Sequence, residues 1–285
     1  MKTIKTARIK KVLKKLIISA AFNLPDDIKD SVSAALLVEK NENAKKILGQ
    51  ILENSKLSKL KKIPLCQDCG TTYIDIYIGE KTCIENFSSI TEELNEAVKQ
   101  AYEEAYLRKS IVSDPLYERK NTFNNSPAII NFFPLSTCGI KIEVFLKGAG
   151  SDNCSWLFMS APSTSPNEIV LKVKELVIEN VTKACPPVII GIGIGASASK
   201  APLLAFKAAF RDLRIRNEDE RYASLEKIIL NEVNSTKIGP AGLGGNTTAL
   251  AVNIEYAPCH MASLPVAVFF LCHSARRASS NILLP

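Results

Sequence analysis

The chain has no apolar run near the roughly 18 residues a membrane-spanning helix needs. Its longest clean stretch is Leu264 to Cys272, which excludes a helical membrane span. It also lacks internal repeats and low-complexity linkers, and it has only two histidines, His260 and His273. The eight cysteines (66, 69, 83, 138, 154, 185, 259 and 272) are too sparse and scattered for a small disulfide scaffold. At the N-terminus, basic residues interleave with Ile9, Val12, Leu13, Leu16, Ile17 and Ala20 rather than preceding a continuous apolar block. That is the helical spacing of an amphipathic helix and not the pattern of a secretory signal. A reducing, cytoplasmic location is therefore expected, with each cysteine either buried or a metal ligand.

At 46% hydrophobic and 23% charged residues, the composition is that of an ordinary globular protein. The net charge of +7 is unevenly placed: residues 1–62 hold 15 Lys/Arg against 6 Asp/Glu, and the remainder 21 against 23. This basic segment lacks the aromatic interleaving of single-strand binders, so no nucleic-acid partner is expected. A solvated basic face that draws in an anionic substrate fits better.

Residues 1–62 read as helices broken around Asn23–Asp27 and Asn41–Asn43. Residues 63–285 read as an α/β region forming one compact unit with them. Tyr73 to Ile78 alternates with Ile74, Ile76 and Ile78 on one face, and Ile140, Ile142, Val144 and Leu146 do the same. Ser89 and Glu92 suggest a capping box for a helix running to about Tyr106. Ser165-Pro166-Asn167-Glu168 suggests another, opening a helix that buries Ile169, Val170, Val173, Leu176 and Val177. A strand at Val188 to Ile194 is expected next, followed by helices near 200–213 and 221–234. Strands near Ala249 to Ile254 and Val266 to Leu271 would finish the chain. The fold class is α+β (mixed α/β): a helical N-terminal segment, then mixed sheets with flanking helices.

Gly191-Ile192-Gly193-Ile194-Gly195-Ala196 formally satisfies the dinucleotide fingerprint, but no following strand ends in the ribose-binding acid. The bland alternative is a tight strand-to-helix turn. Gly239 to Thr248 has the texture of a P-loop without its lysine, which excludes a nucleoside triphosphatase and leaves a backbone nest for a smaller anion. Lys147-Gly148-Ala149-Gly150-Ser151-Asp152-Asn153 is a third glycine turn. Cys66-Gln67-Asp68-Cys69 lacks the second pair of a zinc ribbon. His260 and His273 flank the strand that delivers Cys272, a concentration of ligand-type residues in a short segment.

In Pro64-Leu65-Cys66-Gln67-Asp68-Cys69-Gly70 the chain resembles the class I iron–sulfur fumarases and L-tartrate dehydratases, whose motif reads Cys-Gln-Asp-Thr-Gly. Leu107 to Leu116 is similar to the family's arginine motif, and Lys147 to Asn153 to its glycine-rich loop. Cys185-Pro186-Pro187, Gly191 to Gly195, Gly239 to Gly245, and His260 to Val268 with Cys272-His273 follow in family order. The resemblance implies a [4Fe-4S] cluster held by Cys66, Cys185 and Cys272 with one iron left open. It also implies Gln67 and Asp68 in contact with a dicarboxylate substrate, and Arg108, His260 and the backbone of Gly150 holding its carboxylates. The reaction would be hydration of fumarate to malate, or else dehydration of L-tartrate; a non-catalytic cluster-binding subunit is the reading from another class. Cys69 stands where threonine is usual, Asn246 where many relatives have lysine, and Phe123-Asn124 where many have Gly-Asp. The chain ends where the α subunit of split members ends, so the catalytic base is expected on a separate β subunit.

Overall fold

The computed structural model describes residues 2–283. In chain order the elements are β1 (Lys2–Ile4), α1 (Thr6–Phe22), α2 (Asp26–Val38), α3 (Glu42–Lys61), β2 (Thr71–Gly79), β3 (Thr82–Ile84), α4 (Ile90–Glu104), β4 (Ile129–Leu135) and β5 (Ile140–Lys147). The second half adds α5 (Ala149–Asp152), β6 (Ser155–Ser160), α6 (Pro166–Asn180), β7 (Val188–Gly195), α7 (Ala201–Phe210), α8 (Glu220–Ser235), β8 (Ala249–Ala257), β9 (Leu264–Leu271) and β10 (Arg276–Ile282). Helices combine with mixed sheets, an α+β architecture. No helix among the described residues is long and apolar enough to cross a membrane. Two compact units divide the chain: one takes the segment up to Leu24, Ser55–Ala149 and the segment from Arg276 on, the other Pro25–Asn54 and Gly150–Ala275.

In the first unit a four-stranded sheet has the order β10-β5-β2-β4, with only β2 and β4 parallel. Helix α1 buries Ile9, Leu13, Leu16, Ile17 and Ala20, the stripe its spacing predicts. Helix α4 buries Leu94, Ala97, Val98, Ala101 and Tyr102. Both pack on the face that carries Ile74, Ile76, Ile142, Val144 and Leu146. Each such fully buried aliphatic side chain contributes about 1.5–3 kcal/mol. The expected Ser89–Glu92 capping box does not form: the Ser89 hydroxyl donates to the Asn86 carbonyl (3.1 Å) in a 3-10 turn that leads into α4.

The opposite face of this sheet is polar and aromatic. Tyr77 stacks on Phe133 with ring centroids 5.0 Å apart, and its hydroxyl donates to Glu143 (3.0 Å). Glu143 also pairs with Lys141 (2.7 Å), and Asn131 donates to Asp75 (2.9 Å). Strand β10 extends the chain past the strand expected to end it. Its sequence, Arg276 to Ile282, has no apolar alternation, and its place comes from pairing with β5.

The second unit's sheet has the order β6-β9-β7-β8 and is covered on both faces. Val188, Ile190 and Ile192 of β7 meet the buried stripes of α6 and α8, including Val173, Val177, Ile229 and Val233. The α6 capping box forms as expected, with Ser165 and Glu168 each bonded to the other's backbone N–H. The alternate β7 positions face α7. A Cβ on Gly191 would lie 2.2 Å from the Ala205 carbonyl oxygen, and one on Gly193 2.1 Å from that of Ala201. These glycines are neither a nucleotide turn nor a strand-to-helix turn; they lie within the strand and let an alanine-rich helix sit against its backbone.

Strand β8 lies at the edge of this sheet, and side chains satisfy its outward backbone. Glu226 accepts from the Ile254 N–H (2.7 Å), while Arg211 (3.1 Å) and Asn217 (2.8 Å) donate to the Ile254 carbonyl. Arg211 pairs in turn with Glu226 (2.5 Å) and Glu255 (2.9 Å). At Ile254 the edge therefore offers little to another chain's strand.

Candidate functional site

In the first unit the segment after α3 is pinned at its start, where the Leu65 N–H donates to the Ala21 carbonyl (2.9 Å). Cys66 is half-buried and Gln67 exposed. The Asp68 carboxylate is engaged at both oxygens by backbone donors, Oδ1 by Gly70 (3.0 Å) and Oδ2 by Ala149 (2.6 Å). The Asp68 carbonyl accepts from Arg276 Nη1 (2.7 Å). Asp68 therefore locks the loop that carries it, and what it offers a ligand is its remaining acceptor capacity.

Cys69 turns the other way. It is 1% exposed, within the core formed by α1, α4 and the sheet, and its sulfur accepts the Arg108 N–H at 3.2 Å. Burial pushes its thiol pKa up. Asn125, fully buried in left-handed backbone, makes a second tie: Oδ1 accepts from the Ser110 N–H (2.7 Å) and Nδ2 donates to the Gly70 carbonyl (3.2 Å). Tyr102 closes the arrangement with its hydroxyl, shared between the Cys69 and Gly70 carbonyls (3.2 and 3.0 Å). The arginine segment is thus fixed to the Cys66–Gly70 loop by one direct bond and the Asn125 bridge, while the Arg108 side chain is exposed and has no hydrogen-bond or ion-pair partner among the described residues.

The second unit brings two further expected residues together. Cys185 is exposed, in left-handed backbone after a 3-10 turn, and its carbonyl lies 3.0 Å from His273 Nδ1. A carbonyl only accepts, so Nδ1 carries the proton. Burial lowers the His273 pKa, opposed by this bond. The contact seats Cys272-His273, at the end of β9, beside Cys185. His260 is held in the other tautomer: the Ala262 N–H donates to its Nδ1 (3.1 Å), leaving Nε2 with the proton and facing outward as a donor. Gly150 is exposed at the start of α5, with the Lys183 carbonyl 3.1 Å from where its Cβ would stand.

In the glycine loop at 239–245 the N–H groups of Gly239, Ala241, Gly242 and Gly244 are already bonded within the protein, and the loop packs against Glu39 at Gly245. Glu39, 3% exposed, accepts from the N–H groups of Lys40 (2.8 Å), Asn41 (3.0 Å) and Asn246 (2.7 Å). Burial works to raise its pKa, but these donors and the Lys237 charge bring it below its usual value. Lys237 also donates to the Asn246 side chain (2.7 Å). The backbone nest for a small anion expected at 239–245 is not what these bonds show; Glu39 instead ties its own turn to Asn246. A cleft of about 610 Å3 beside α8 and β8 holds none of the expected site residues.

None of the eight cysteines is in a disulfide. No group of three or more His, Cys, Asp or Glu among the described residues is arranged to hold a metal ion. The donor chemistry nevertheless fits an iron–sulfur cluster: Cys66, Cys185 and Cys272 are accessible thiols on loops, unlike buried Cys69 and Cys154. Sequence reasoning missed Tyr102, Asn125 and Arg276. Each acts through a backbone group remote in sequence, which no local pattern signals.

Fold and site together describe a two-unit α+β protein with accessible loop thiols and an anchored, outward arginine. Residues 10–281 match the family model "Fumarate hydratase (Fumerase)", and the chain belongs to that family of hydro-lyases. A protein of Methanocaldococcus jannaschii provisionally named L(+)-tartrate dehydratase subunit alpha is 41% identical over 280 residues, covering 97% of this chain and 98% of that one. The L(+)-tartrate dehydratase subunit alpha of Escherichia coli K12 is 29% identical over 258 residues, covering 90% and 84%. That of Escherichia coli UTI89 is 28% identical over 261 residues, covering 91% and 86%. In its family and its span the chain corresponds to an alpha subunit.

Proposed function

We propose that the chain is the α subunit of an iron–sulfur hydro-lyase that, with a separate β subunit, adds water to fumarate or removes it from malate. The observation that carries this reading is the double tie of the arginine segment to the cysteine loop, through Cys69 and Asn125. It holds an exposed guanidinium in fixed register with Cys66, as recognition of a carboxylate next to a thiolate-held group requires. Cys66, Cys185 and Cys272 would hold a [4Fe-4S] cluster. When bound, the cluster supplies an iron with an open position, a Lewis acid toward hydroxyl and carboxylate oxygens.

The remaining work falls to side chains and backbone. Arg108 would grip one substrate carboxylate bidentately. His260, with Nε2 protonated, would donate a hydrogen bond rather than remove a proton. The Gly150 N–H would add a backbone donor, and Gln67 is exposed for a polar contact. Asp68, locked at both oxygens, suits an acceptor of fixed position better than a mobile base. This supports a base supplied by the β subunit. Eight cysteines without a disulfide are consistent with a reducing, cytoplasmic setting.

A second reading, L-tartrate dehydration, is favoured by the names of the three relatives. The test is anaerobic purification of the co-expressed pair, iron and sulfide analysis, and steady-state kinetics with malate, fumarate and both tartrate enantiomers. About four irons per α chain with preferred turnover of malate and fumarate is the expected result. Preferred turnover of L-tartrate would favour the second reading, and iron-free protein without turnover would defeat both.

A further inference from the structure

Arg276 is the largest fully buried side chain in the protein, 1% exposed. It stands on β10 directly opposite Leu146, on the side of the sheet covered by α1 and α4. Nη1 donates to the Asp68 carbonyl at 2.7 Å, while Nε, also buried, has no hydrogen-bond partner. Among the described residues no carboxylate lies within ion-pair distance of the guanidinium. The nearby Asp68 carboxylate is taken by the Gly70 and Ala149 N–H groups instead. Gly148 makes room for both: a Cβ there would lie 2.9 Å from Asp68 Oδ2 and 3.6 Å from Arg276 Nη2.

A buried cation without a directly paired carboxylate is costly, and a well-packed apolar residue of similar volume is often the more stable choice. Stability therefore does not account for Arg276, whereas its position does. Its one strong contact is the main chain between Gln67 and Cys69, in the loop that presents Cys66.

We propose that Arg276 is a positioning residue for this loop: its guanidinium clamps the Asp68 carbonyl and keeps a fixed positive charge beside the Cys66–Asp68 backbone. Resting on the functional reading above, that charge offsets the negative charge that thiolates, cluster and dicarboxylate bring to the loop. Arg108 would contact substrate directly; Arg276, enclosed in the core, acts only through the loop.

The test compares wild type, Arg276→Met and Arg276→Lys, each co-expressed with the β subunit. Amide hydrogen exchange of residues 65–70 is read without iron, and iron retention and KM against kcat with it; thermal stability is read throughout. Arg276→Met should keep or raise the melting temperature while residues 65–70 exchange faster. It should lose about 10-fold or more in iron affinity, the scale of losing a residue that orients a metal ligand, and KM should rise more than kcat falls. Arg276→Lys, which keeps the charge, should recover most of the iron retention. Unchanged exchange in residues 65–70 would overturn the proposal, as would a sharp fall in melting temperature with exchange raised equally throughout the first unit. A wild-type pair that binds no iron would defeat the functional reading, and the exchange comparison would still decide the role of Arg276.

Discussion

The two units solve the same problem, a four-stranded mixed sheet, in different ways. The first covers one face with α1 and α4 and leaves the other to Tyr77, Glu143, Lys141 and Asn131. The second packs helices on both faces and gives up side chains altogether at Gly191 and Gly193 to do so. The polar face of the first sheet still buries Asp75, Phe145 and Lys147, but around half-buried Tyr77 it tolerates change better than a doubly covered sheet, which has no spare volume. The expected site residues follow the same division. The first unit holds its loop residues with buried polar side chains, and the second holds Cys185 and Cys272 where a 3-10 turn and a strand end.

If chemistry draws on residues of both units, removing a thiol from either should have the largest effect of any change. Cys66→Ser in the first, and Cys185→Ser or Cys272→Ser in the second, should each abolish iron binding and turnover in the co-expressed pair. Elemental analysis and kinetics check this. Retention of iron and activity by any one of the three would remove that residue from the set.

The packing contrast is sharpened by adding one carbon to each sheet. Gly193→Ala places a Cβ 2.1 Å from a backbone oxygen, so strand or helix must shift. The expected cost is at or above the usual 1–3 kcal/mol of overpacking. Tyr77→Phe removes one half-buried hydroxyl contact from the open face and should cost about 1 kcal/mol or less. Urea denaturation of both variants gives the comparison directly, and equal costs would break it.

Buried polar anchors in the two units allow a second contrast. Asn125→Ala leaves the Ser110 N–H and the Gly70 carbonyl without this partner, for about 1–3 kcal/mol of stability, and frees the arginine segment. KM for dicarboxylate should rise with it. In the second unit Glu39 has a folded pKa below its usual 4.5. Its contribution to stability is therefore fully present above that value and is lost as pH falls through the lower folded one. Glu39→Gln should flatten this acid limb of a stability–pH profile. An unchanged limb would mean that the bonds from Lys40, Asn41 and Asn246 do not depend on the carboxylate charge.

Much of this fold is legible in the amino-acid pattern. The α1 stripe, the Ser165–Glu168 box and the alternation of Ile74, Ile76 and Ile78 each reflect one element meeting one apolar face, so local period suffices. Strand β10 was not legible because Arg276-Arg277-Ala278-Ser279-Ser280 carries no alternation and is held by β5. Gly191 and Gly193 were misread because a close helix approach and a nucleotide turn demand the same residue. The ligand-type residues stand out by composition. Their anchors do not, because Asn125 reaches Gly70 across 55 positions and Arg276 reaches Asp68 across 208.

The smallest expected effect concerns the residue that departs most visibly from the family motif. Were Cys69 a fourth thiolate ligand, Cys69→Thr would open the metal site and raise activity. Its burial in the first unit's core and its bond from the Arg108 N–H argue instead that it performs threonine's task with sulfur. A threonine hydroxyl can accept the same N–H and fills nearly the same volume. Cys69→Thr should therefore leave iron content and KM near wild type, while Cys69→Ala, which removes the acceptor, should raise KM without changing iron content. A large gain in turnover from Cys69→Thr would show that the sulfur reaches the metal after all, and that the loop around Asp68 rearranges to let it do so.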